Sequence, residues 1–492
     1  MQACCFARSE GGPTKRRRAQ VGTRVFVLVL ATAMASGHAC AQSLIDTLSQ
    51  AYSYNPQLDA ERARLRATDE DVARANSGYR PNVFGSADIS RERTNISPNT
   101  GTNGSNTPKG YAVQLVQPVF RGFRTTNAVN AAEASVRAGR EQLRLVEQDV
   151  LLSAVQAYGD VVRDQAIVRL RENNLKFLST ELQATRDRFA VGEVTRTDVA
   201  QAEARRSLAV SDLELAKANI KTSRGVYEQI VGNPPQRLVE AKPDTRLVPG
   251  SLDEAIGIGT QENPQIVGAL YSEQASRFQV DQIRGELLPE AQLEATYSDR
   301  YDGSSQIDRV ESASILGRLN VPIYPDGGEV YARVRQAKHT HVSLIQQIEQ
   351  ARSVVKADVI RNWSQLQAFK AQSVADRAQI DANQTALNGV REEEKVGQRT
   401  LLEVLNAQQE LLLSQVQLET TKRNVLVASY AVVASIGRLS VSEVGAASNV
   451  YVPEAHLDEV RNKWWGLDIT HDDGRSEHMD AWGARIEREP VK

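Results

Sequence analysis

The chain has 492 residues, 41% of them hydrophobic and 5% aromatic, with 59 basic side chains against 61 acidic ones. This is enough material for two or three ordinary domains, but so few aromatics argue against an enzyme built around one large apolar centre. A balance this close to neutral excludes a nucleic-acid binder, which needs a strongly basic face.

The first element in chain order is a leader over residues 1–41. Lys15, Arg16, Arg17, Arg18 and Arg24 precede an apolar run from Val25 to Ala35, and Ala39-Cys40-Ala41 supplies the small residues of a cleavage site. The pattern predicts a secretory signal peptide removed before Gln42. All three cysteines (Cys4, Cys5 and Cys40) lie in this leader, so its removal leaves neither disulfides nor thiolate metal ligands. Lipidation at Cys40 is the rival reading, although Gly37-His38-Ala39 lacks the large apolar residue of a lipobox. The rest of the chain carries 53 basic and 60 acidic residues, a formal charge of −7. No window beyond Gln42 approaches 18 uncharged apolar residues, so any membrane contact must run through a barrel or a surface helix.

Laid against itself, the chain divides into two halves, residues 42–240 and 241–440, followed by a polar tail, 441–492. Asn55-Pro56-Gln57 matches Asn263-Pro264-Gln265 and Pro81 matches Pro289; further on, Pro118 matches Pro322 and Ile230-Val231-Gly232 matches Ser435-Ile436-Gly437. A period of about 200 residues is a duplicated domain and not a solenoid.

Within the first half, residues 44–78 are helical in pattern and end at Ser77-Gly78. Residues 82–93 then switch to period two, a polar tract from Thr94 to Gly110 reads as a loop, and Tyr111, Val113 and Leu115 alternate up to Pro118, which predicts a hairpin. The second half repeats this: Ala291, Leu293, Ala295 and Tyr297 alternate, a loop runs from Asp302 to Asp308, and Ala313, Ile315, Gly317, Leu319 and Val321 follow. One apolar face and one polar face suit strands between lipid and a wet lumen. On alternation alone, a water-facing hairpin packed on a helix fits equally well.

No proline interrupts the chain between Pro118 and Pro234 or between Pro325 and Pro453. Residues 127–191 therefore allow one continuous helix, roughly 98 Å long at 1.5 Å per residue. Val136, Leu143, Val150 and Ala157 recur by sevens, as do Ala202, Ala209 and Ala216, and Val404, Leu411, Leu418, Val425 and Val432. Such spacing predicts coiled-coil packing. The helical stretches 44–78 and 195–231 together match the long helix in length, so they are expected to stack end to end beside it.

Each long helix stops at a glycine, Gly192 in VGEVTRTDVAQAEA and Gly397 in VGQRTLLEVLNAQQ, where the left-handed conformation ends a helix. Two hairpins supply only four strands, and an open edge is not tolerated in lipid, so several chains must pool their strands. A dimer and a trimer both satisfy the count.

The order helix, hairpin, long helix, glycine turn, helix, given twice after a leader, resembles the TolC outer-membrane efflux protein family. The resemblance rests on AYSYNPQL (51–58), QPVFRG (117–122), VPIYPDGG (321–328) and both glycine turns, and it covers about residues 43–440. It implies an α+β membrane protein, a homotrimer with four strands per chain, in which a long coiled-coil α-helical barrel joins a transmembrane β-barrel in the outer membrane and reaches across the periplasm. It also implies a channel for efflux or type I secretion, passive and not enzymatic, with a periplasmic adaptor and an inner-membrane RND or ABC transporter as partners. Carried over by the VGQRTLLEVLN alignment, Arg399 falls where the family places a linking arginine that closes the tip, and Thr197 and Asp198 fall on its acceptors. Glu403 and Asn406 occupy the entrance ring, one carboxylate per chain where the family has two acidic residues. Glu394, counted with Arg399, Thr197 and Asp198 among the gate links, stands where the family typically has a bracing tyrosine, which puts that particular link in doubt. The bland alternative at both turns is helix capping, since Thr195 with Asp198 and Thr400 with Glu403 fit a capping box.

Signatures of other chemistry fall short. Gly257 and Gly259 begin a GxG that Glu262 breaks, and His339 and His341 stand two apart on a helix, on different faces, where they read as solvated. The sequence therefore implies no cofactor and no metal. A periplasmic adaptor and a structural coiled-coil rod are the competing classes; the first needs a lipoyl-like domain between its helices, the second leaves the alternating segments unexplained. Trp464 and Trp465 lie in the tail, either unfolded or wrapped on the helices.

Overall fold

A computed structural model describes residues 42–95, 97–98, 103–243, 246–304, 307–446, 450–471 and 474–477. The leader with Cys40 and its cleavage site, and the last residues, 478–492, lie outside the described residues. In chain order the elements are α1 (Leu44–Tyr54), α2 (Pro56–Asn76), β1 (Asn82–Ile89), β2 (Glu92–Thr94), β3 (Gly104–Asn106), β4 (Lys109–Arg121), α3 (Arg124–Ala190) and α4 (Arg196–Val231). Then follow α5 (Leu252–Glu262), α6 (Pro264–Arg284), β5 (Glu290–Ser304), β6 (Ile307–Asn320), α7 (Glu329–Lys395), α8 (Leu401–Ser435), α9 (Val441–Val444), α10 (Pro453–Val460), β7 (Ile469–Thr470) and β8 (Ser476–Glu477). No helix among the described residues is long and apolar enough to cross a membrane.

The long helices α3 and α7 each run 67 residues unbroken. The expected seam positions are buried at Val136, Leu143, Val150 and Ala157 on α3 and at Ile348, Ala351 and Val355 on α7, whereas Leu344, expected in the same seam, is only half-buried. Residues 44–78 do not form the single helix that their composition suggests. Pro56 has no N–H to continue α1, and Asn55 ends one helix while capping the next, its side chain accepting from the Gln57 N–H at 2.9 Å. The same asparagine donates to the Ile230 carbonyl at 3.0 Å, so the C-terminal turn of α4 is fastened where α2 begins. Asn263 repeats the device, accepting from Gln265 N–H at 2.9 Å and donating to the Ser435 carbonyl at 2.8 Å. Pairs of short helices therefore do stack beside the long ones, and the joint is a two-sided asparagine. At the second joint Gly437 is obligatory: its φ is +87°, and a Cβ there would lie 2.8 Å from Asn263 Cα.

The four main strands form one antiparallel sheet in the order β1-β4-β5-β6. The helices follow in matching order. The α2 and α4 pair lies against α3, α3 packs on α6 and α8, and these pack on α7, so each strand leads into one helical strip. The register puts Val83, Leu115, Ala295 and Ile315 on one face, and Glu294 and Arg318, joined at 2.9 Å, on the other. Strands β4, β5 and β6 reach further than the alternation suggests. β4 runs through Pro118 to Arg121, and the register shift between Pro118 and Phe120 is where a residue without an N–H leaves the ladder. The polar tract of the first hairpin is not all loop, since β2 and β3 pair within it.

The largest core lies midway along α3, where Leu143, Leu151, Val155 and Tyr158 meet Leu48 and Tyr52 of α1, Tyr227 and Val231 of α4, and Leu439 and Val441. The tail is folded as far as it is described. Its α9 joins this core, and α10 lies on α2 with His456 buried against Asp69 at 2.8 Å. His341 is not simply solvated, because it faces Glu273 of α6 at 3.4 Å.

Candidate functional site

Each glycine turn ends its long helix by the same backbone logic. Gly192 has φ +84° and Gly397 φ +77°. The N–H groups of Gly192 and Glu193 donate to the carbonyls of Phe189 and Arg188 at 3.0 Å, while Gly397 and Gln398 donate to Glu394 and Glu393 at 2.9 Å. These are Schellman closures, which satisfy the last carbonyls of a helix and require a left-handed residue. Both short helices then begin with a complete capping box: Thr195 with Asp198, and Thr400 with Glu403. The capping reading of these residues holds at both tips.

Beyond capping the tips differ. In the second, Arg399 Nε donates to Glu393 at 2.8 Å, and its guanidinium also reaches Glu403 at 2.8 Å, spanning the turn from one helix to the next. These bonds, Glu403's first, raise the Arg399 pKa above its ordinary value. Glu403 is held below the usual carboxylate value, foremost by the Thr400 backbone N–H and then by Arg399. Within one chain Arg399 reaches neither Thr197 nor Asp198, and Asp198 is taken up by Thr195.

Polar contacts and an apolar cluster tie the two hairpins together. Glu394 forms an ion pair with Arg188 of α3 at 2.6 Å, which raises the Arg188 pKa. Asn406 accepts from Arg205 of α4 at 2.7 Å, and the Arg391 guanidinium lies 4.8 Å from the centre of the Phe177 ring. Beneath them Leu401 and Leu405 pack on Leu178, Leu182, Ala202 and Ala209. Arg188, Arg205 and Glu393 are therefore site residues that the motif comparison missed. Their sequence signal is weak, since Arg188 is one arginine among many and its partner stands 206 residues away.

The arrangement presents hydrogen-bond acceptors and donors at an exposed tip. At the other end of the long helices stands a sheet with one apolar face. Outer membrane efflux protein BepC of Brucella suis biovar 1 (strain 1330) is 40% identical over 445 residues, covering 90% of this chain and 95% of that protein. Outer membrane protein TolC of Escherichia coli (strain K12) is 24% identical over 423 residues, covering 83% and 85%. The crystal structure of the Campylobacter jejuni CmeC outer membrane channel superposes with a TM-score of 0.72 at 16% identity, over 85% of this chain and 89% of that one, a likeness of fold. The family model described as outer membrane efflux protein matches residues 47–233 and 257–438. The chain belongs to the outer membrane efflux protein family.

Proposed function

We propose that three copies of this outer-membrane protein pool their strands into a twelve-stranded barrel and their helical strips into a tunnel below it, and that the assembly conducts substrates passively from the periplasm to the outside. The observation that carries this reading is the pair of open edges. Within the chain β1 pairs only with β4 and β6 only with β5, and an unpaired edge in hydrocarbon is prohibitively costly. The same edges continue downward as α4, with Leu208 and Leu215 exposed, and α7, with Val342 and Val374 exposed. A copy on each side covers both. The 11- and 21-residue short helices and the 67-residue long helix recur in each half, which supports a duplicated unit with residues 42–240 and 241–440 as its halves.

The gate lies at the two tips. Arg399 exchanges its own-chain carboxylates for Thr197 and Asp198 of a neighbouring copy as the second hairpin coils inward, Glu394 braces that hairpin through Arg188, and Glu403 and Asn406 line the entrance. A periplasmic adaptor docks on the helices and links the tunnel to an inner-membrane RND or ABC transporter, for drug efflux or type I secretion. The test is conductance of the purified protein in planar bilayers, together with a trimer band that dissociates on heating. A soluble monomer without channel activity refutes the proposal.

A further inference from the structure

The tail carries a feature that the channel reading leaves unused. From α10 onward it is fastened upward along α2 and α3: Glu454 pairs with Arg140 at 2.8 Å, Arg461 with Glu133, and Asn76 donates to the Arg461 carbonyl at 3.2 Å. Arg80 then donates to the Lys463 carbonyl at 2.7 Å, and its guanidinium lies 4.7 Å from the centre of the Trp464 ring. The following turn, Trp464-Trp465-Gly466-Leu467, is closed by Lys463 Nζ on Thr470 Oγ1 at 2.5 Å and bends at Gly466, φ +116°. The turn is thus held at both ends while its side chains face outward. The rings of Trp464 and Trp465 lie 6.3 Å apart, Trp465 is 85% exposed and Leu467 is fully exposed.

We propose that this turn is a second membrane contact, docking on the phospholipid leaflet at the foot of the barrel. Its height decides the occupant. Arg80 stands two residues ahead of β1, and Val83, the first exposed residue of the apolar sheet face, is three residues on, about 10 Å of extended chain. Tyr79 beside β1, Phe120 and Phe123 at the end of β4 and Tyr324 beyond β6 are exposed at the same end of the sheet, so the turn continues a row of aromatics where the lipid band begins. Tryptophan is favoured at this boundary because its body is apolar and its N–H needs a polar partner, and the adjacent cations Arg80 and Lys463 suit anionic headgroups. The docking clamps the tail, and through it α2 and α3, against the membrane.

The inference rests on the reading of the sheet as membrane-spanning, and its test separates the two. The full-length protein is reconstituted into phosphatidylethanolamine–phosphatidylglycerol vesicles doped with acyl-brominated phosphatidylcholine, beside W464F/W465F, which keeps a ring under Arg80. Trp363 and Trp482 give a background common to both. With two of the four tryptophans in the interface, brominated lipid is expected to quench about half of the wild-type emission and little of the variant's. Aqueous iodide should discriminate little. If iodide quenches Trp464 and Trp465 and brominated lipid does not, the turn is in water and the proposal falls. If neither reaches them, a second copy of the chain covers the turn and the proposal also falls. Ile315→Trp in the variant background reports on the sheet: strong lipid quenching there with none at the turn sinks the tail inference alone, whereas no quenching at either position sinks the membrane reading with it.

Discussion

The ion pair from Arg188 to Glu394 joins the two hairpins just above their turns, and its removal should loosen the second tip. The side chain of Glu394 is 14% exposed and that of Arg188 39%, with 2.6 Å between them. A well-covered hydrogen bond to a charged group is worth about 1.5–3 kcal/mol, and a fully exposed pair about 0.2–1 kcal/mol. Half-covered geometry places this one near 1 kcal/mol per chain, so in the proposed trimer three copies would hold the closed state by about 3 kcal/mol, roughly two decades in the closed-to-open ratio. Glu394→Ala should therefore raise the open fraction in planar bilayers by about a hundredfold at low salt. The excess should shrink near 1 M salt, where the screening length is about 3 Å. The charge swap Arg188→Glu with Glu394→Arg should restore closure, because the pair is reformed with its ends exchanged. Unchanged conductance in Glu394→Ala, or a swap that opens the channel further than either single change, would refute the brace.

Arg399→Ser should also raise single-channel conductance; no change would take Arg399 out of the gate. Glu403 titrates below its ordinary value, so the stabilisation that it gives the second cap is present at neutral pH and is lost as pH falls through that lowered value. Glu403→Gln should flatten the acid-induced rise in conductance. Asn55→Asp keeps the cap on Gln57 but turns an acceptor toward the Ile230 carbonyl, and should cost about 1–3 kcal/mol in thermal unfolding; a midpoint equal to the wild type would dismiss the joint. Burial raises the Glu147 pKa against the opposing Val441 N–H bond, so its protonated form favours folding and that contribution fades as pH rises through the raised value. Glu147→Gln should gain on the wild type in thermal stability as pH rises from about 4 to 8, and equal midpoints throughout that range would show that the buried charge costs nothing.

The periodic parts of this chain were legible because one force decides them. Val136, Leu143, Val150 and Ala157 are buried at sevenfold spacing because a continuous apolar seam on a long helix has to be covered by its neighbours. The strand faces follow from alternation for the same reason. Legibility failed where a single residue serves two elements. Asn55-Pro56 marks a match between the halves, yet composition does not tell that the asparagine splits one helix and fastens another that ends 175 residues away. The tail failed differently: its anchors to α2, α3 and Arg80 are polar pairs of high sequence separation, which leave no period to read.

The two tips are alike in what ends and starts a helix and unlike in what crosses between helices, and this difference is what a movable gate requires. Closures at Gly192 and Gly397 and boxes at Thr195 and Thr400 fix each turn locally, so neither tip unravels when hairpins shift. Arg399 is another matter. Both of its carboxylates lie on its own hairpin and all three side chains are substantially exposed, so leaving them costs little and meeting Asp198 of a neighbouring copy returns little. Two states that differ by so small an amount can be shifted by any partner that prefers one of them, since a bound protein moves an equilibrium by its differential affinity alone. In the proposed gate, the half-covered Arg188–Glu394 pair would set the resting side of that balance. An adaptor that competed for Arg188 or wedged the hairpins apart there would act on this tie and leave the caps intact.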